Sequence, residues 1–231
     1  MRKRASKRYK KLIENTKTKR VETLEEGVKK VKQNCTTKFD ESIDVSLNLN
    51  LDLKKKKEEV NLRTVVNLPN GNGKKIKVAV LWEENKISEA KNSGAELVGS
   101  DNLIHNIVSG KINFDKLIVT PAMMPKMGKL GKILGPKGLM PNPKLGTVTN
   151  DIKKTVKALK EGQIEIKNDK DGNIGASIGK KSFNDTKIIE NFNALIQTIQ
   201  KEKPNGIKGD FILSSYITST MGVSYKLKVR G

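Results

Sequence analysis

A change of rhythm along the chain limits its fold more than any other feature. Residues 42–51, SIDVSLNLNL, alternate strictly, with Ile43, Val45, Leu47, Leu49 and Leu51 on one side and Ser42, Asp44, Ser46, Asn48 and Asn50 on the other. A period of two with one apolar side predicts a strand with one buried face. A second strand, NLRTVVNL at 61–68, ends at the breaker PNGNG. Beyond the breaker the rhythm changes. Strand patterns at KKIKVAVLW (74–82), AELVG (95–99) and FDKLIVT (114–120) alternate with helix-like NKISEAKNSG (85–94) and SDNLIHNIVSG (100–110). That order predicts crossover helices over both faces of a mainly parallel sheet. Closely spaced strands then return at QIEIKND (163–169) and NIGASIG (173–179), across the turn DKDG, and at GDFILSSYITST (209–220) and VSYKLKV (223–229).

The first and last thirds therefore read alike and the middle does not. The predicted class is mixed α+β and α/β in two domains. Residues 1–68 and 160–231 form a discontinuous two-layer α+β domain. Residues 69–159 form an inserted three-layer Rossmann-like α/β domain, with the crossings near 68–70 and 158–162 acting as a hinge. Three helices have local signatures. TLEEGVKKVKQN opens with Thr23 and has Glu26 three residues on, a capping box, with Leu24, Val28 and Val31 on one face. NDIKKTVKALKEG closes on Gly162, suited to a left-handed C-terminal position. DTKIIENFNALIQTIQKEK puts Ile188, Phe192, Leu195 and Ile199 on one face and stops at Pro204.

Charge points to a class of partner. With 46 Lys and Arg against 25 Asp and Glu, the chain carries +21, a field that attracts polyanions and releases counterions when it neutralises phosphates. The charge is uneven: residues 1–20 hold ten Lys or Arg and one Glu, and residues 116–150 hold six Lys and no acid. Nucleic acid is the leading partner, either specifically recognised or held nonspecifically by charge. The basic start, MRKRASKRYKKLIENTKTKR, has no apolar core after it and reads as a mature basic tail rather than a secretion signal or a Ser-rich transit peptide. No apolar run is long enough to span a membrane, so a membrane partner is not expected.

Catalytic parts are missing from the pattern. The single Cys35 and single His105 make neither an intramolecular disulfide nor a structural zinc cluster; both sit in apolar or helical patterns that read as packing. GNGKKI has Ile76 where a dinucleotide fingerprint needs its third Gly. GKILGPKG has Pro136, which removes an amide donor, and no Lys-Ser or Lys-Thr pair follows. Paired carboxylates fall in runs such as KKKKEEV. No enzyme, cofactor or metal site is expected; a nucleotide-using Rossmann-type enzyme is the alternative these incomplete motifs argue against.

Residues 124–149, MPKMGKLGKILGPKGLMPNPKLGTVT, carry five Lys, five Gly and four Pro without a carboxylate. On the residues alone this is either a solvated loop or a basic loop that meets phosphates through Lys126, Lys129, Lys132, Lys137 and Lys144, its glycines allowing close approach of the backbone. LGKILGPKGLMPNPKLGTVT resembles the signature of the L-one family of large-subunit ribosomal proteins. The likeness extends in family order through TKFDESIDV, LRTVVNLPNGNGKKIKVAVL, GAELVGSDNLI, INFDKLIVTPAMMP, KNDKDGNIGASIGK, KPNGIKGDFI and SSYITSTMG, covering nearly everything from Thr37 to Ser224.

The resemblance implies a structural constituent of the large ribosomal subunit that binds large-subunit rRNA and forms the mobile stalk beside the tRNA exit site. There it assists movement and release of deacylated tRNA among other ribosomal components. It also implies, for bacteria, repression of translation through a similar fold in the protein's own messenger RNA. The location implied is the ribosome of a bacterial cytoplasm or of a plastid or mitochondrial interior. Carried over from the family, the RNA-facing residues are Lys38, Phe39, Asp40, Glu41 and Ser42 with Thr218, Ser219, Thr220, Met221 and Gly222; Lys170 and Lys180 are further candidates. Without the family, Phe39 before a strand reads as core and TMG as a plain turn. Relatives often carry a Pro at Leu53, a His at Gly175 and a Pro at Val223, so the detail of the RNA surface departs there. The lysine run 54–57 and the ending YKLKVRG differ as well. The inserted-domain lysines are expected to contact tRNA or neighbouring RNA.

Overall fold

The computed structural model describes residues 6–16, 21–50, 62–83, 94–204 and 209–228. Leu51, Leu53, the lysine run 54–57 and the helix expected at 85–94, Gly94 aside, lie outside them. The chain divides into two compact units, one of Met1–Gly73 with Ile164–Gly231 and one of Lys74–Gln163.

In the terminal unit, four antiparallel strands lie side by side. β1 (Ser42–Leu49) is central, flanked by β7 (Asn173–Lys180) and β8 (Ile212–Ser219), and β9 (Tyr225–Leu227) pairs with β8. β2 (Arg63–Asn67) and β6 (Gln163–Lys167) form a separate pair. The alternation of β1 decides the layering. Ile43, Val45, Leu47 and Leu49 are each at most 3% exposed and enter one core with Val28 and Val31 of α2 (Leu24–Gln33) and Ile188, Leu195 and Ile199 of α5 (Asp185–Lys201). The opposite face of the sheet keeps Ser42, Asp44, Ser46 and Asn48 at least partly exposed. α2 starts where the sequence directs it. The Thr23 hydroxyl accepts from the Glu26 amide and the Glu26 carboxylate accepts from the Thr23 amide, a complete capping box. A further helix, α1 (Lys7–Asn15), precedes it and buries Leu12.

The Lys74–Gln163 unit is three-layered around a parallel sheet of order β4 (Leu97–Gly99), β3 (Val78–Leu81), β5 (Lys116–Val119). All four residues of β3 are buried, as a central parallel strand requires. Val78, Val80 and Ile118 pack with Ile152, Val156 and Leu159 of α4 (Ile152–Glu161), which ends at Gly162 in the left-handed region at φ 116°. Ala79, Leu81, Leu117 and Val119 face the other way, toward Leu103 and Ile107 of α3 (Asp101–Val108). His105 is exposed, contrary to the packing expected of it: two residues along a helix from buried Leu103, it points away from the sheet.

The second covering layer comes from residues 121–134, so the start of the segment 124–149, whose Gly and Pro predict a loop, is helical instead. Pro121–Met123, Met124–Met127, Gly128–Leu130 and Gly131–Leu134 are successive short helical turns. Met123, Met127, Leu130 and Leu134, spaced four, three and four apart, are at most 5% exposed and join the core with Leu103 and Ile107. Burial of one stripe overrides poor helix propensity, and Pro125 is tolerated because it stands in a first helical turn.

Candidate nucleic-acid interface

Pairing of β1 with β8 brings together two segments that lie far apart in sequence. Ile43 lies opposite Ser219 and Asp44 opposite Thr218, so the loop entering β1 at residues 37–41 adjoins the turn leaving β8 at residues 219–222. The Ser42 amide donates to Thr220 Oγ1 at 3.0 Å and the Thr220 amide to the Ser42 carbonyl at 3.1 Å. The Gly222 amide closes the turn on the Ser219 carbonyl at 3.1 Å.

Glu41 ties loop and turn together. It is fully buried, and its Oε1 accepts from the Thr37 amide (3.2 Å) and hydroxyl (2.7 Å), while Oε2 accepts from the Met221 amide (3.1 Å). Burial pushes this carboxyl up, but hydrogen bonds from the Thr37 hydroxyl and the Met221 and Thr37 amides outweigh it. The group is held below the ordinary carboxylate value. Asp40 is fixed from the other side, accepting from the Ser182 amide (3.1 Å) and hydroxyl (2.8 Å). Gly222 is a close-approach glycine. A Cβ there would lie 2.3 Å from the Ser219 hydroxyl, which is buried beneath the turn. Cys35 itself packs, 5% exposed, with burial raising its thiol and Sγ directed at the Val31 carbonyl.

The side chains this frame presents outward are Phe39, 53% exposed, and Met221, 48% exposed, with exposed Lys38 and Thr220 beside them. Two expected RNA-facing groups point inward instead. Glu41 and Ser219, at 0% and 3% exposure, serve as supports: the Glu41 oxygens are taken up by Thr37 and the Met221 amide, and the Ser219 hydroxyl is buried against the turn without a hydrogen-bond partner among the described residues. Ser42, Thr218 and Gly222 are half-buried. Lys180 pairs with Ser42 in the sheet and so borders the loop. Lys170 does not: its turn precedes Asn173, which pairs with Asn48, about 20 Å along β1 at about 3.3 Å per residue. Gly175, opposite Ser46, lies midway.

Sequence reasoning missed α1. Arg8 donates from Nη1 to Thr36 Oγ1 at 2.9 Å and from Nη2 to the Met221 carbonyl at 2.8 Å, docking the helix on the turn. The available signal was Tyr9 and Leu12 three apart within a segment read as a basic tail. In the other unit, Lys129, Lys132, Lys137 and Lys144 are exposed, whereas Lys126 pairs with Asp101 at 2.8 Å. Among the described residues no cluster of His, Cys, Asp or Glu is placed to hold a metal, and no helix is long and apolar enough to cross a membrane.

Fold and surface together define a class: a basic two-unit binding protein with a preorganised loop-and-turn surface. The chain belongs to the ribosomal protein L1p/L10e family, whose model matches residues 31–223. It is 60% identical over 225 residues to the large ribosomal subunit protein uL1 of Pelagibacter ubique, covering 97% of each chain. It is 46% identical to uL1c of Phaeodactylum tricornutum, over 97% of this chain and 96% of that one. Its identity to uL1 of Rickettsia akari is 47%, over 88% and 84%. The family is structural rather than enzymatic, and so is this chain.

Proposed function

We propose that this chain, a structural protein of the large ribosomal subunit, binds large-subunit rRNA through the surface carried by residues 37–42 and 218–222. One observation carries the reading: a buried carboxylate, Glu41, locks two distant segments together so that Phe39 and Met221 stand exposed beside each other's loops. Holding apolar groups in water has no value for folding. It suits RNA, whose unstacked bases are recognised by stacking and whose sugar hydroxyls bond to groups such as the Thr220 hydroxyl. Membership of a ribosomal protein family, with relatives that are large ribosomal subunit proteins, supports the same partner.

The remaining roles follow the same chemistry. The terminal unit anchors the stalk, and the Lys74–Gln163 unit presents Lys129, Lys132, Lys137 and Lys144 to tRNA or neighbouring RNA, assisting the movement and release of deacylated tRNA. A segment of the protein's own messenger with the same shape would occupy the rRNA surface, giving translational repression.

The test is binding to the stalk fragment of large-subunit rRNA and to a scrambled RNA of equal length across a salt series, with Met221→Asp alongside. Shape recognition leaves a preference between the RNAs at high salt, abolished in the variant. Equal, steeply salt-dependent binding with an unaffected variant would reduce the interaction to the +21 charge. Neutralising Lys129, Lys132 and Lys137 should leave rRNA affinity intact and slow tRNA release; a large loss of rRNA affinity would sink their assignment.

A further inference from the structure

Helix α1 builds a notch against the turn. Ser6, Arg8 and Tyr9 of its first turn and cap face Thr220, Met221 and Gly222 across a shallow, open depression of about 310 Å³ whose lining, among the described residues, holds no carboxylate. Arg8 spends two of its five N–H donors on Thr36 and on the Met221 carbonyl, both neutral acceptors. The guanidinium thus keeps its whole charge at the rim while fixing the depression's two walls. Tyr9 is half-buried and Met221 half-exposed, so an aromatic ring and a thioether border the same space. Lys7, Lys10 and Lys11 add positive charge on the same helix.

We propose that this notch takes one unpaired nucleotide of the RNA partner, its base stacked between the Tyr9 ring and the Met221 thioether and its phosphate on Arg8. The volume lies at the small end of ligand cavities and suits one planar ring. Splayed-out bases stack on aromatic side chains, sulfur packs against π-faces, and Arg pairs with phosphate by fork geometry. An acidic peptide would satisfy Arg8 but leave the ring and thioether without a flat partner, so a nucleotide fits the whole set. The proposal rests on the turn being RNA-facing and adds a ligand, one extruded nucleotide, and a segment, α1.

The experiment measures affinity of the full chain for the stalk fragment of large-subunit rRNA over a salt series. Variants are Tyr9→Phe, Tyr9→Leu, Arg8→Gln and Met221→Asp, each with a thermal melt, and ultraviolet crosslinking maps peptides joined to RNA. Tyr9→Phe should bind as the parent. Tyr9→Leu keeps an apolar group against the turn but no stacking face, and should weaken binding by roughly ten-fold or more with little change of salt slope. Arg8→Gln should lower affinity and flatten the slope by about one unit. A crosslink should join the Tyr9 peptide to a single nucleotide. Parental binding by Tyr9→Leu with no such crosslink, while Met221→Asp fails to bind, would overturn the notch and leave the turn's RNA role standing. Parental binding by Met221→Asp as well would overturn both.

Discussion

Glu41→Gln isolates the brace beneath the candidate RNA surface. The amide keeps the shape of the side chain but converts one acceptor oxygen into a donor. Two donors, the Thr37 amide and hydroxyl, converge on Oε1 and one, the Met221 amide, on Oε2. The amide should therefore keep its oxygen toward Thr37 and set its NH2 against the Met221 amide. One bond to a charged acceptor is lost, the others weaken to neutral ones, and a buried donor meets a donor. At about 1.5–3 kcal/mol for a bond to a charged group, the expected destabilisation is about 2–4 kcal/mol at pH 7. The pH dependence carries the sign. The folded carboxyl is held below its unfolded value, so its stabilisation is fully present above about 4.3 and is lost as pH falls through the folded value. Urea unfolding of both proteins at steps from pH 7 to pH 3.5 should show a constant gap down to about pH 5 that narrows below it, with rRNA affinity falling because the turn is released. A variant as stable as the parent at neutral pH, or a gap that stays constant to pH 3.5, would refute the charged brace.

Three other substitutions probe separate contacts. Gly222→Ala drives a Cβ toward the Ser219 hydroxyl and should weaken RNA binding several-fold; adding Ser219→Ala removes the obstructing atom, and a double-mutant cycle should show recovery of more than half the loss. Asn191→Leu removes a fully buried amide that donates to the Gly71 (2.8 Å) and Ile178 (2.7 Å) carbonyls and accepts from the Asn70 amide (3.0 Å), which should cost about 2–4 kcal/mol in denaturant unfolding. Leu130→Ala, at 0% exposure under the parallel sheet, should cost about 2–5 kcal/mol; a cost below about 1 kcal/mol would mean residues 121–134 do not share that core.

What the sequence reveals depends on how far apart the deciding partners lie. β1, α2 and α5 are legible because alternation, a capping box and a 3.6-residue stripe are written within ten or twenty residues and end in deep burial. Residues 121–134 are not, since Gly128, Gly131 and Pro125 read as breakers while the apolar stripe at 123, 127, 130 and 134 depends on a sheet elsewhere to make it helical. The candidate site was readable as a place but not as a mechanism. Phe39 read on local grounds as core, yet stands 53% exposed. Glu41 and Ser219 read as RNA-facing, yet are buried, because the partner of Glu41 is the amide of residue 221. Arg8 meets the same turn from 213 residues away, a pairing no local pattern records.

Charge and shape have separate duties in this arrangement. A +21 chain would bind RNA of any sequence, and the affinity it gains that way falls steeply with salt. Selectivity needs groups whose positions do not adjust to whatever RNA arrives, and flexible surface lysines cannot provide that. The frame around Glu41 can, because every polar atom holding the loop to the turn is either buried or paired within the protein. The acid that joins loop to turn, Glu41, is fully buried with its oxygens engaged, and the exposed Asp40 is turned to Ser182, so the brace orders the site with little repulsion of phosphates. Placing a negative charge beneath the proposed RNA surface is therefore compatible with binding a polyanion, provided the charge is spent on amides and hydroxyls before the RNA reaches it.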